Sequence, residues 1–309
     1  MLELDSTFLR GSYPPLITPF TAAGDIDYDT YASLVEFQIT EGSHGIVVNG
    51  TTAEPSVLTV AERQKILEVA VQAANKRVPV MAATGSQSHA ETVALTEHAQ
   101  RVGADAVLIV TPYYIRPSQA GLAAYYADLG RRTDLPMLMY HIPGRACVHV
   151  TLDTLARIAD AVPHFVGMKH ASPELTLVTE ALQRFGPQFR IFVGLEELSF
   201  PMLALGACGM VNAVSNIAPR AIRDLYETLA RGDLAEGRRL HFELFDLNRA
   251  VFFDTNPVPL KYMAKRLGLL RENHHRLPLI PASAEVEARL DRVLREAGLL
   301  ATDNPARDS

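Results

Sequence analysis

The chain has 309 residues, of which 48% are hydrophobic and 21% charged, and its formal net charge is −6. The charged residues are dispersed without basic stripes, which excludes a typical nucleic-acid binder and favours a small-molecule substrate. The two cysteines are too few for a disulfide framework and lack zinc-binding spacing, so we expect a reducing, cytoplasmic compartment.

A membrane location is not expected either. No apolar run approaches the ~18 residues of a membrane span. The first five residues include acid where a signal peptide has a basic flank and an apolar core. The sequence therefore predicts a soluble protein.

Eight short β-prone segments recur at intervals of roughly 20 to 35 residues, a spacing typical of repeated βα units. They are 11–18, 45–48, 79–83, 106–110, 136–140, 165–169, 190–193 and 209–212. Segments with helical periodicity lie between most of them, at 28–41, 61–75, 90–102, 119–131 and 151–161. This alternation predicts a (β/α)8 TIM barrel of the α/β class. A doubly wound open sheet is the alternative, but no Gly-x-Gly-x-x-Gly motif follows the first strand.

The strand pattern stops after about residue 231. Beyond it, 233–253, 257–267 and 284–297 are helical in pattern. We therefore predict a barrel catalytic domain over 1–231 and a C-terminal helical domain over 232–309, whose last residues, 301–309, are expected to fray.

Lys169 ends an apolar strand and is a candidate catalytic nucleophile. The active site of a TIM barrel forms at the C-terminal ends of its strands. An amine there attacks a carbonyl only if its pKa, ordinarily about 10.4, is lowered, and apolar surroundings supply that by desolvation. The structural alternative is a lysine that closes a strand and points into water.

Other strand ends offer polar partners for Lys169. The Gly-Thr-Thr turn at 50–52 has hydroxyls and free N–H groups that can hold a carboxylate. Tyr140 ends the neighbouring strand, where its phenol can pass protons. Arg145, in a Pro-Gly-Arg loop, can bind a second carboxylate. Taken singly, each feature also has a structural explanation. The Gly-Thr-Thr segment can be an ordinary polar turn, Tyr140 can cap the core, and Arg145 can form a surface ion pair.

Strand alternation predicts that His141 and His170 point out of the barrel if Tyr140 and Lys169 point in. On adjacent strands the two histidines can touch, and we expect a structural role for both. Lys261 is a rival nucleophile, but it falls at the start of a helix outside the barrel, where a solvated or helix-packing role is expected. Motifs for zinc peptidase, calcium, nucleotide and serine-hydrolase chemistry are absent from the sequence.

Several separated motifs, taken in order, resemble the dihydrodipicolinate synthase and N-acetylneuraminate lyase family over about residues 11–281. They are Thr-Pro-Phe at 18–20, Gly-Thr-Thr at 50–52, Thr-Pro-Tyr-Tyr at 111–114, the segment 140–145, the strand ending in Lys169, Gly-Met-Val at 209–211 and Asn-Pro-Val-Pro at 256–259. The resemblance implies a class I lyase or aldolase that joins pyruvate to an aldehyde, or releases it. It also implies a Schiff base without metal or organic cofactor, and a homotetramer or homodimer.

The resemblance assigns roles residue by residue. Lys169 is similar to the Schiff-base former and Tyr140 to the proton carrier. Thr51 and Thr52 resemble the pair that binds the carboxylate of the 2-oxo acid. Tyr114 resembles the tyrosine that enters a neighbouring subunit's site and completes the proton relay.

Two further positions matter for the substrate. Val211 matches the position whose backbone carbonyl faces the pyruvate adduct. Arg145 resembles the arginine that receives the acidic aldehyde in synthases. It favours the synthase branch, whose aldehyde is aspartate semialdehyde.

The chain also departs from the family pattern. The departures are Ala53 for glycine, His141 for asparagine, His170 for glutamate and Leu-Glu-Glu at 195–197 for Gly-Asp-Asp. They suit the alternative of a catabolic aldolase or hydro-lyase acting on a hydroxy-oxo dicarboxylic acid or a deoxy-sugar acid. A non-catalytic ligand-binding homologue is a further alternative. Pro55, Val60 and Arg63 differ from the residues that form a lysine-inhibition site in some synthases, so lysine inhibition is not expected.

Overall fold

Short runs of buried, mostly apolar residues form eight parallel strands in the computed structural model, which describes residues 2–301. The strands are β1 (Gly11–Ser12), β2 (Ile46–Val48), β3 (Val80–Ala83), β4 (Ala106–Val110), β5 (Met137–His141), β6 (Phe165–His170), β7 (Arg190–Val193) and β8 (Gly209–Met210). They pair in the order β1-β8-β7-β6-β5-β4-β3-β2, and a parallel bridge between Pro15 and Val47 links the two end strands. The predicted TIM barrel is confirmed, and the open sheet is wrong.

Helices alternate with the strands and cover the barrel. They are α1 (Tyr28–Thr40), α2 (Val60–Ala74), α3 (His89–Val102), α4 (Gln119–Gly130), α5 (Pro143–Ala146), α6 (Leu152–Ala161), α7 (Thr176–Phe185), α8 (Ser199–Leu205) and α9 (Pro219–Ala230). Side-chain caps fix several of the starts, among them Thr59 before α2 and Ser88 before α3. The one-turn helix α5 replaces the loop predicted around Arg145, and it begins at Pro143, a residue that suits the first helical position.

Four more helices follow the barrel: α10 (Leu234–Glu243), α11 (Phe245–Ala250), α12 (Val258–Arg266) and α13 (Ala284–Glu296). The helix predicted over 233–253 is therefore two helices, α10 and α11. The division into two domains at 231/232 stays a prediction, and the expected fraying of 301–309 falls almost wholly outside the described residues. Among residues 2–301 no helix is long and apolar enough to cross a membrane.

Two apolar clusters hold the site in place. One lies between the barrel and its helices, and the other fills the barrel interior, where Leu138, Val166 and Phe192 pack beneath Tyr140. The polar strand ends lie above this packed interior, where the active site of a TIM barrel forms.

Candidate active site

A cavity of about 310 Å³ opens at the C-terminal ends of the strands. All but one of the predicted site residues line it: Thr51, Thr52, Tyr140, Arg145, Lys169 and Val211. These residues come from four different strand ends, those of β2, β5, β6 and β8, so the barrel brings together groups that are far apart in sequence.

Lys169 lies deep in this cavity beside Tyr140. The two residues are register partners across β5 and β6, and the Lys169 Nζ lies 4.3 Å from the centroid of the Tyr140 ring. Both side chains are buried. The alternative of a solvated strand-end lysine is therefore wrong, and the amine lies beside the aromatic ring of Tyr140.

The Thr51–Thr52 turn lies on a short 3₁₀ helix, Thr51–Ala53, which follows β2. Its backbone is tied down because the Thr18 hydroxyl donates to the Ala53 carbonyl at 2.7 Å. The Asn256 amide donates to the Thr52 Oγ1 at 3.1 Å. The turn therefore presents hydroxyl groups to the cavity from a fixed position.

Arg145 and Val211 line the same cavity after β5 and β8. Arg145 is exposed on α5, which places a guanidinium at the rim. Val211 follows β8 and is buried, and its N–H donates to the Val193 carbonyl at 2.9 Å. The geometry suits an anionic ligand that reaches from the buried amine to the rim.

Tyr114 is the predicted site residue that the single chain does not bring into the cavity. It lies in the loop after β4 with φ of +75°, and its side chain is 82% exposed. The neighbouring Ile115 is 61% exposed. An aromatic and an aliphatic side chain therefore project together from this loop.

Glu196 is a cavity residue that the sequence analysis noted only as a departure from the family pattern. Its carboxylate is buried on the 3₁₀ turn Glu196–Leu198, and Oε1 accepts a hydrogen bond from the Ala213 N–H. Oε2 has no hydrogen-bond partner among the described residues. Burial raises the pKa of Glu196 to about 7, against the opposing effects of the Ala213 hydrogen bond and Lys169. The cavity therefore contains a carboxyl group that changes charge near neutral pH.

The predicted contact between His141 and His170 is confirmed. Their Nδ1 atoms lie 3.2 Å apart, and the His170 Nε2 lies 2.7 Å from the Glu174 carbonyl. Because a carbonyl only accepts, His170 donates from Nε2 and accepts at Nδ1 from His141. The His141 Nε2 in turn accepts from the Val150 N–H at 3.4 Å. Neutral imidazoles satisfy this chain, and neither histidine lines the cavity with Lys169.

Burial explains why these histidines stay neutral. It lowers the pKa of His141 to about 3, with the charges of His170 and His149 acting in the same direction. It also lowers the pKa of His170. The pair therefore ties the loops after β5 and β6 together behind the site.

Of the two roles expected for Lys261, solvated or helix-packing, the solvated one is wrong. Its side chain is fully buried, and its Nζ lies 2.8 Å from the Glu54 Oε1. The sequence could not show this partner because the two residues are 207 positions apart.

A second cavity, of about 810 Å³, adjoins the first and shares Thr51, Tyr140 and Arg145 with it. Arg63 is buried against this cavity and donates to the carbonyls of Ala83 and Gly85, at 3.1 Å each. Burial lowers the pKa of its guanidinium to about 10, which leaves it charged at neutral pH.

Potential metal ligands are not clustered in the described part of the chain. Within it, no group of three or more His, Cys, Asp or Glu side chains is placed to hold a metal ion. The expected absence of metal and organic cofactors stays a prediction.

Known proteins share both the sequence and the fold. The Dihydrodipicolinate synthetase family matches residues 8–297. A 4-hydroxy-tetrahydrodipicolinate synthase from Thermus thermophilus is 42% identical over 298 residues, which cover 96% of this chain and 99% of the relative. The crystal structure of dihydrodipicolinate synthase from Aquifex aeolicus superposes with a TM-score of 0.92 at 38% identity and covers 94% of this chain and 98% of that one. The Cyanidioschyzon merolae enzyme, solved with lysine bound, gives a TM-score of 0.92 at 33% identity and covers 95% and 99%.

Fold, cavity and relatives together define a lyase of the class I pyruvate aldolase type. The chain belongs to the dihydrodipicolinate synthetase family. The predicted family resemblance is thereby confirmed, and the non-catalytic alternative loses its support.

Proposed function

We propose that the enzyme condenses pyruvate with aspartate semialdehyde through a Schiff base on Lys169, as a 4-hydroxy-tetrahydrodipicolinate synthase. The observation that supports this most directly is the placement of Lys169, Tyr140 and Thr51 around one cavity. The name that the Thermus thermophilus relative bears points to the same reaction.

The chemistry begins at the Lys169 amine. Its lone pair attacks the ketone carbon of pyruvate, the carbonyl oxygen takes up a proton, and loss of water leaves an iminium. The iminium withdraws electrons, so a proton leaves the adjacent methyl group and an enamine forms. The enamine carbon then attacks the aldehyde, whose oxygen takes up a proton, and this makes the new carbon–carbon bond and restores the iminium. The amino group of the aldehyde substrate then adds to the iminium carbon and displaces the Lys169 amine, which closes the ring of the product and frees the enzyme. No electron acceptor besides the iminium is required.

Other residues hold the substrates and move protons. Thr51 and Thr52 bind the carboxylate of the 2-oxo acid through hydroxyl and backbone N–H groups, and the Val211 carbonyl faces the adduct. Tyr140 passes protons to and from the carbinolamine, since its ring lies beside the amine. Arg145 receives the carboxylate of the aldehyde, because a guanidinium binds carboxylates with two parallel hydrogen bonds.

The proton relay is completed between subunits of a homotetramer or homodimer, by Tyr114 of the partner subunit. The support is that Tyr114 and Ile115 are exposed in the single chain and cannot serve their own cavity. Leu205, Leu234, Phe242 and Phe245 form further exposed apolar surface on α8, α10 and α11. Sedimentation at micromolar concentration tests the assembly, and a monomer with full activity would contradict it.

The enzyme works in the cytoplasm without a bound cofactor. Both cysteines are free thiols, and Cys147 is exposed, which suits a reducing compartment. Dialysis against a chelator tests the cofactor statement and should leave the rate unchanged.

A second candidate reaction is cleavage or dehydration of a hydroxy-oxo dicarboxylic acid or a deoxy-sugar acid. Glu196 favours it, because a buried carboxyl with one unpartnered oxygen suits a substrate hydroxyl. The same Lys169 iminium would serve, but pyruvate would then not be consumed with an aldehyde.

The two reactions are separated by measuring pyruvate. The proposed synthase should consume pyruvate only when an aldehyde is added. The loss should be fastest with aspartate semialdehyde and slower with succinate semialdehyde, because succinate semialdehyde lacks the amino group. Two results together would favour the second reaction. The enzyme would convert a hydroxylated acid when no aldehyde is present, and it would not consume pyruvate when aspartate semialdehyde is added.

A further inference from the structure

Glu54 and Lys261 form an ion pair in which both side chains are buried. The Lys261 Nζ lies 2.8 Å from the Glu54 Oε1, and both side chains are 0% exposed. The Phe20 ring covers the ammonium, with its centroid 4.3 Å from Nζ. His275 approaches the other carboxylate oxygen at 3.9 Å. Buried charges are retained in proteins when they are paired, so removal of either partner leaves a group that the site does not tolerate.

The pair joins the active-site turn to a helix beyond the barrel. Glu54 directly follows the 3₁₀ helix that contains Thr51 and Thr52, whereas Lys261 lies on α12. Glu54 has φ of 60° and ψ of 43°, a left-handed conformation that residues other than glycine adopt at a cost. Such a conformation persists where surrounding contacts determine it, and the ion pair is the strongest contact of this side chain.

A second contact from the same C-terminal segment reaches the same turn. Asn256, just before α12, donates to the Thr52 Oγ1. Pro257 and Val258 connect it directly to the helix that contains Lys261. The two bonds hold the turn at two points, Thr52 and Glu54. Neither Glu54 nor Lys261 lines the cavity with Lys169, so both act from outside it.

We propose that the buried Glu54–Lys261 pair positions the Thr51–Thr52 turn to receive the carboxylate of the 2-oxo acid. Glu54 and Lys261 are then positioning residues of the active site, and α12 is a structural part of it. This inference rests on the proposed Schiff-base function, because it concerns the binding of the 2-oxo acid that Lys169 would attack. It does not concern the reactivity of the amine itself.

The test separates the positioning of the turn from simple stability. Four variants are compared with the wild type: Lys261→Met, Glu54→Gln, the double variant, and Glu54→Asp, which keeps both charges but shortens the anchor by one methylene. Asp291→Asn is the matched control. It removes a hydrogen-bond partner of Tyr262 and Arg266, which lie on α12 like Lys261, without touching the Thr51–Thr52 turn. The thermal midpoint and the pyruvate concentration for half-maximal borohydride trapping on Lys169 are measured for each.

The two single variants that break the pair should lower the thermal midpoint and raise the half-maximal pyruvate concentration at least tenfold. Trapping at saturating pyruvate should stay near the wild-type extent, since the amine is intact. The double variant leaves neither charge of the pair without its partner, so it should recover thermal stability. Its half-maximal pyruvate concentration should still be at least tenfold higher than that of the wild type. Glu54→Asp should fold and also need more pyruvate. The control should change the thermal midpoint alone.

Wild-type pyruvate dependence in either the folded double variant or Glu54→Asp would overturn the inference. If the double variant does not fold, Glu54→Asp decides the matter by itself. A wild-type protein that traps no 2-oxo acid on Lys169 would instead contradict the proposed function, so the two failures are distinguishable.

Discussion

Among single residues, strand alternation decides which side chains face the cavity. Tyr140 pairs with Lys169, and the next register pair, His141 with His170, faces the helices. Both outcomes follow from period-two alternation and could be predicted from the sequence. Glu196 could not, because it lies on a 3₁₀ turn where no simple period tells a buried carboxylate from an exposed one.

The first residue-scale prediction concerns the phenol of Tyr140. Tyr140→Phe should reduce kcat by about 10²- to 10⁴-fold, the usual effect of losing a positioned proton carrier. The ring stays in place, so the free energy of unfolding should change by no more than about 1 kcal/mol. Steady-state kinetics and denaturant unfolding check both parts. Turnover at the wild-type rate would show that the proton travels by another group.

A second residue-scale prediction concerns pH. Burial lowers the pKa of His141 from 6.5 to about 3. As pH falls, the unfolded chain therefore protonates this histidine at a higher pH than the folded chain does. The stabilisation is therefore complete above pH 6.5 and is lost as pH falls from 6.5 towards 3. It amounts to at most on the order of 5 kcal/mol, at ~1.4 kcal/mol per pKa unit.

His141→Asn tests this by removing the titrating group. Its free energy of unfolding should fall less steeply than the wild type's between pH 6.5 and 4.5. Equal slopes in His141→Asn and the wild type would contradict the assignment.

At the scale of elements, the helices were more predictable than the connections. Side-chain caps mark the helix starts, so the helix predicted over 61–75 is observed as Val60–Ala74. β1 is shorter than the predicted 11–18, because Pro14 and Pro15 have no N–H to donate to the ladder. The break at Leu244 and the one-turn helix α5 were missed, because a one-turn helix is too short to show periodicity and the break between α10 and α11 has no glycine or proline to mark it.

The capping of α2 gives a prediction at this scale. The Thr59 hydroxyl accepts from the Glu62 N–H, and the Glu62 carboxylate accepts from the Thr59 N–H, which forms a complete capping box. Thr59→Ala should therefore lower the free energy of unfolding by about 1 kcal/mol, whereas Thr59→Ser should retain most of it. Chemical denaturation of the two variants measures this. Equal stabilities would mean that the cap is not what holds the start of α2.

At the scale of the whole molecule, the C-terminal helices are built into the active site. α12 packs against the turn Ala213–Asn216, and residues at its start hold the turn that contains Thr52. The sequence indicated where these helices lie but not what they touch, because contacts between residues about 200 positions apart leave no local pattern. This is why the fold and most cavity residues were predictable and the Glu54–Lys261 pair was not.

The larger cavity gives a prediction about regulation. The Cyanidioschyzon merolae relative was solved with lysine bound. In this chain the buried guanidinium of Arg63 lines the cavity of about 810 Å³ and would repel the lysine ammonium. Millimolar lysine should therefore leave the rate unchanged. Saturable inhibition by lysine in steady-state assays would show that another group in the cavity offsets Arg63.

Borohydride trapping shows which lysine forms the proposed Schiff base. The protein is incubated with pyruvate and borohydride, and the mass of the intact chain and of its peptides is then measured. We predict one reduced pyruvate adduct, on the peptide that contains Lys169, and none in Lys169→Ala. Two results would contradict Schiff-base formation on Lys169. One is the absence of an adduct with pyruvate and with a panel of other 2-oxo acids, and the other is an adduct on Lys261 instead.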